Sequence, residues 1–140
     1  MGTIKSLNKW ANAHSYYPID LLRVLLGAFL IFKGFNFMGN TIELLELIRP
    51  MQSVFGEMLA LHYVVPAHFI GGLLIVFGLL TRWGCISQFP ILVGAVMINF
   101  TGEMHLTNLI LASASLFLCV FFAFFGSGKH SMDRMLRMEQ

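Results

Sequence analysis

The sequence predicts an all-α integral membrane protein, a four-helix bundle of up-down-up-down order with an interfacial amphipathic helix between its first two spans. Three observations lead there. The 140 residues are 57% hydrophobic and only 11% charged, with a mean hydropathy of +0.76, whereas a soluble domain carries about 25% charged residues. Four apolar runs, near 19–38, 63–80, 83–100 and 106–125, match the roughly 20 residues that cross about 30 Å of hydrocarbon. The basic residues fall mostly on one side of those runs.

The whole chain, 1–140, reads as a single membrane domain. Residues 1–18 are polar and aromatic, with no short apolar core ending in a small-residue cleavage site, so the first run is expected to stay in the mature protein. Each run is continuously apolar rather than alternating, which favours helices over a β-barrel, because lipid offers no partner to free backbone groups. With the N-terminus cytoplasmic, Lys5, Lys9, Arg82, Lys129, Arg134 and Arg137 all lie inside, and only Arg49 lies outside. Trp10, Tyr16, Tyr17 and Trp83 then suit an inner aromatic belt and Tyr63 an outer one.

Residues 41–60 form a long outer connection in which Glu43, Glu46, Ser53 and Glu57 punctuate an apolar background. Asn40 with Glu43 resembles a capping box, and Pro50 is expected to kink the segment. The C-terminal tail, 126–140, is short and mixed in charge and is expected to be a solvated topology signal. Gly27 and Gly34 are seven apart, as are Gly71 and Gly78, so each pair is expected to share a helix face open to close packing within the bundle or between copies.

Two stretches carry a resemblance. LRVLLG at 22–27 is followed by FKG at 32–34, and GGLLIVFGLLTR occupies 71–82. Together with the four spans, the chain over 18–125 resembles the DoxX family of small bacterial membrane proteins. The resemblance implies a small multi-pass protein of a bacterial membrane. It also implies an association with membrane redox systems, in one relative as a subunit of a thiosulfate:quinone oxidoreductase. The family often places a lysine three residues after the glycine matching Gly34; here Phe37 stands there and Lys33 precedes the glycine.

Charged groups inside a span cost about 2.5–3.5 kcal/mol on insertion scales, so those that persist need a partner or a purpose. On the inner side, Arg23 and Arg82 are placed for charge or lipid contact, with Gln88 at similar depth and Asp20 able to pair with Arg23. On the outer side, Lys33, Asn36, His68, Asn99, Glu103 and His105 are expected to converge on a polar pocket, with His62 and Asn108 nearby and Lys33 paired to Glu103. His68 could hydrogen-bond a quinone carbonyl, bind a metal or relay a proton; snorkelling of Lys33 and helix-to-helix bonding of His68 are the structural alternatives. No metal site is expected: His62 and His68 are six apart and do not share a helix face. Cys85 and Cys119 differ in depth by roughly 7 Å at the helical rise, which reads as two inert small hydrophobes rather than a disulfide.

No P-loop, dinucleotide fingerprint or nucleophile elbow occurs, and no basic run suggests nucleic acid. The reading is a membrane subunit of a redox or electron-transfer assembly, not an enzyme on its own. Its partners would be the lipid bilayer, other membrane subunits or further copies of itself. A quinone is compatible with the chain but not demanded by it. The competing readings are a non-catalytic accessory or assembly subunit and a small transporter component.

Overall fold

A computed structural model describes residues 2–13, 17–49, 56–101, 104–128 and 131–136. Among them the regular structure is helical throughout: α1 (Gly2–Ala13), α2 (Tyr17–Gly39), α3 (Thr41–Ile48), α4 (Glu57–Phe77), α5 (Thr81–Thr101), α6 (Leu106–Phe125) and α7 (Met132–Met135). Three helices, α2, α5 and α6, are long and apolar enough to cross a membrane, and α4 contains a shorter apolar stretch, Leu61–Phe77. Prolines inside α4 and α5, Pro66 and Pro90, do not end these helices.

The exterior is the more apolar surface. Phe117 is 71% exposed, and Trp83, Phe100 and Phe124 are exposed beside it, while Arg23, His68, Gln88, Asn99 and Ser115 are buried. Water would penalise such an arrangement, and hydrocarbon favours it. The apolar core inside is small: Leu26, Leu30, Ile75, Cys85, Leu92, Cys119 and Phe122.

Helices α2 and α4 run antiparallel and cross backbone to backbone. A Cβ placed on Gly27 would lie 2.7 Å from the Gly72 carbonyl oxygen, and one on Gly72 would lie 2.9 Å from that of Gly27. Gly34, two turns on, faces His68 and Phe69. The first glycine pair therefore shares a face as expected, and its role is to seat α4. The second pair does not. Gly71 is spent against Gln88 of α5, whereas Gly78 lies past the end of α4 at φ 66°, a left-handed C-terminal cap. Its N–H and that of Leu79 return to the Leu74 carbonyl, which ends the helix three residues earlier than the run 63–80 suggested.

Helix α5 packs back on α4, where Gln88 Nε2 donates to the Ala67 carbonyl. The Tyr63 hydroxyl donates to the Ser87 carbonyl at 2.8 Å, which ties this ring end to α5. Helix α6 packs antiparallel on α5. Arg82 lies opposite Phe124, and Cys85 and Cys119 belong to the same buried core. With Arg82 at the start of α5 meeting Phe124 at the end of α6, the two helices end nearly level on this side. Both thiols are free and buried.

Helix α3 continues α2 after a break at Asn40, whose N–H still reaches the Asn36 carbonyl while its own carbonyl accepts from Leu44. Asn40 makes no side-chain cap, so the capping box expected there is not formed. Leu44 is buried, which seats α3 on the bundle. Pro50, the expected kink, lies outside the described residues.

At the opposite end α1 reaches α6 through an edge-to-face contact between Trp10 and Phe125, with ring centroids 6.1 Å apart. The C-terminal segment is no solvated appendage. Ser127, Ser131 and Asp133 are buried, and Asp133, 1% exposed, accepts from the Leu80 N–H at 2.7 Å and the Thr81 N–H at 3.4 Å. It caps the start of α5, where free N–H groups and the helix dipole both favour a carboxylate.

Candidate functional site

Away from that clasp, the bundle opens into a cavity of about 460 Å³ between α2, α3, α4, α5 and α6. That volume is in the range of small-molecule sites, about 300–1,000 Å³. Most of its wall is apolar: Phe29, Leu30 and Phe37 of α2, Leu44 and Ile48 of α3, Ile91, Leu92 and Ile98 of α5, Leu111 and Ala112 of α6. The polar lining is Lys33 and Asn36 of α2, Tyr63 and His68 of α4, Asn99 of α5, and Asn108 and Ser115 of α6.

The cavity exists because two antiparallel pairs, α2 with α4 and α5 with α6, are each closely packed while α2 touches α6 only sparsely. Gly34 decides where His68 stands. A Cβ there would come within 3.2 Å of the His68 Cβ, so the glycine lets the histidine approach α2. The Phe37 ring closes on the imidazole edge-to-face, with centroids 5.5 Å apart and an interplanar angle of 90°. His68 Nδ1 lies 2.8 Å from the Val64 carbonyl. A carbonyl oxygen only accepts, so Nδ1 carries the hydrogen, and in the neutral ring Nε2 bears a lone pair. Lys33 is close enough to interact with His68 electrostatically. Asn99 donates through Nδ2 to the Ala95 carbonyl at 2.9 Å, which leaves its Oδ1 as an acceptor.

Of the outer residues expected to converge, Lys33, Asn36, His68 and Asn99 do line one cavity, as does Asn108. His105 does not; it is exposed at the N-cap of α6. His62 is also exposed and bonds back to the Met58 carbonyl. Glu103, the partner expected for Lys33, lies outside the described residues. Ser115 and the α3 wall were missed, because a serine in an apolar helix and a leucine in an outer loop give no local sign of a shared cavity. On the inner side Arg23 is 3% exposed, with Asp20 at 3.9 Å and a bond from its guanidinium to the Ser127 carbonyl, so protein rather than lipid covers it. Arg82 is half-buried and reaches the Phe124 carbonyl at 3.5 Å. Among the described residues, no cluster of three or more metal-ligating side chains occurs.

The arrangement can hold an amphipathic molecule, with its body against the apolar wall and its polar head between an ammonium, an imidazole and amides. Comparison with curated proteins and with solved structures finds no match. The family model described as DoxX matches residues 19–102, which takes in α2 to α5 and so the lysine, histidine and Asn99 of the cavity. More than half of the chain lies within that match, and the chain belongs to the DoxX family.

Proposed function

We propose that this protein crosses the bacterial cytoplasmic membrane four times with both termini inside, and that it serves as the quinone-binding membrane subunit of a redox assembly. One observation carries the reading: an apolar cavity within the helices has Lys33 and His68 as neighbours in its wall. A quinone is a flat apolar ring with oxygens at its two ends, and it lives in the bilayer. The wall accommodates the ring, and the Lys33 ammonium donates to an oxygen. Family membership supports a place beside redox partners, and the lysines and arginines at the inner end support the orientation. The catalysis itself would belong to a partner chain, since no redox motif is present.

The test is a titration of the protein in lipid nanodiscs with a short-chain quinone. Saturable binding is expected, weakened about tenfold or more by Lys33→Met, which removes a charge-assisted hydrogen bond. A quinone that fails to saturate, or a Lys33→Met variant that binds as well as the parent, removes the reading. Co-purification in mild detergent then tests for the redox partner.

A further inference from the structure

The polar groups of the cavity are not neutral between the two redox forms of such a ligand. Two of them are fixed as acceptors. Val64 takes the Nδ1 hydrogen of His68 at 2.8 Å, and Ala95 takes a hydrogen of the Asn99 amide at 2.9 Å. His68 Nε2 has no hydrogen-bond partner among the described residues. The Nδ1 bond to Val64 and the edge-to-face contact with Phe37 fix this orientation of the imidazole, in which Nε2 is the acceptor.

A quinone oxygen only accepts. It is served by Lys33, but against Nε2 and the Asn99 Oδ1 it sets acceptor facing acceptor. A quinol hydroxyl both donates and accepts. We propose that the cavity selects the quinol over the quinone: one hydroxyl donates to His68 Nε2 while a ring oxygen accepts from the Lys33 ammonium. This rests on the quinone-site reading above and adds the redox form to it. A site built to hydrogen-bond a hydroxyl rejects an analogue lacking that hydrogen, because the acceptor it meets is then left unpaired in the complex. No covalent or electron-transfer step is involved; the selection lies in one hydrogen atom.

Three probes test it in nanodiscs under anaerobic conditions: a short-chain quinol, the matching quinone, and the quinol dimethyl ether, which keeps the oxygens and loses both donors. The quinol is expected to bind about tenfold tighter than either of the others. His68→Phe is expected to bring quinol and quinone to similar affinity, whereas Lys33→Met weakens both forms and keeps the ratio. The ratio in the unmodified protein is decisive even where a variant does not fold. Equal affinity for quinol and quinone, or a dimethyl ether that binds like the quinol, overturns the selection while leaving a quinone site standing. No saturable binding by any of the three overturns the site itself.

Discussion

Asp133 shows how much one side chain can organise at the inner end. The turn between α4 and α5 places Gly78 at φ 66° and Leu80 at φ 48°. The second value is uncommon for a residue with a Cβ and is disfavoured by roughly 1–2 kcal/mol. The Asp133 carboxylate, accepting from the Leu80 and Thr81 N–H groups, and the Asp133 N–H, donating to the Gly78 carbonyl at 3.0 Å, hold the turn in that shape. Asp133→Ala leaves two N–H groups without their acceptor and is expected to destabilise the protein by about 1–2 kcal/mol. Asp133→Asn keeps an acceptor oxygen and loses only the charge, so it should fall between the two. Thermal unfolding in one detergent checks the order. An alanine variant as stable as the parent would mean that the clasp contributes nothing.

At the scale of the element, the apolar runs were legible because burial in lipid needs no long-range information. Hydropathy alone places α2, α5 and α6 to within a turn. The unread parts depend on contacts between distant positions. Helix α1 is short and rich in polar residues, and only its packing on α6 distinguishes it from a polar leader. The C-terminal clasp bridges residues 53 apart, Leu80 and Asp133, which no local pattern reports. The candidate site was half legible: charge inside a span pointed to Lys33 and His68, but an ordinary serine such as Ser115 carried no such mark. The glycine spacing was legible as packing and silent about partner.

That silence is resolved by the α2–α4 crossing, where contacts are backbone to backbone and cannot yield. Gly27→Val is therefore expected to prevent the two helices from meeting and to lose folded, monodisperse protein. Gly39→Ala, with nothing within 4 Å of its added Cβ, should be tolerated and gain up to about 1 kcal/mol from helix propensity. Size-exclusion profiles of the two variants separate close packing from a general dislike of substitution. Similar behaviour of both would show that the crossing is not what Gly27 serves.

The whole molecule turns on where its ends lie. Trp10 meets Phe125, and Asp133 meets the turn at Leu80 and Thr81. Trp10 and Asp133, from the first and last described helices, therefore sit at one end of the bundle, beside the α4–α5 turn. A chain whose ends share one face of a bilayer has crossed it an even number of times. Three helices satisfy length and apolarity outright; an even count predicts that α4, whose 21 residues extend about 31 Å at roughly 1.5 Å per residue, is the fourth crossing. Labelling in sealed membrane vesicles with a maleimide that does not cross lipid tests this directly. Cysteines introduced by Ser6→Cys and Met135→Cys, both exposed positions, should react from the same side, and one introduced by Met104→Cys from the other. The native Cys85 and Cys119 are each 1% exposed and should add little background. The surplus of lysine and arginine at the shared end predicts that Met104→Cys is the position labelled from the periplasmic side. Labelling at 6 and 135 from opposite faces would break the even count, and with it the assignment of α4 as a span.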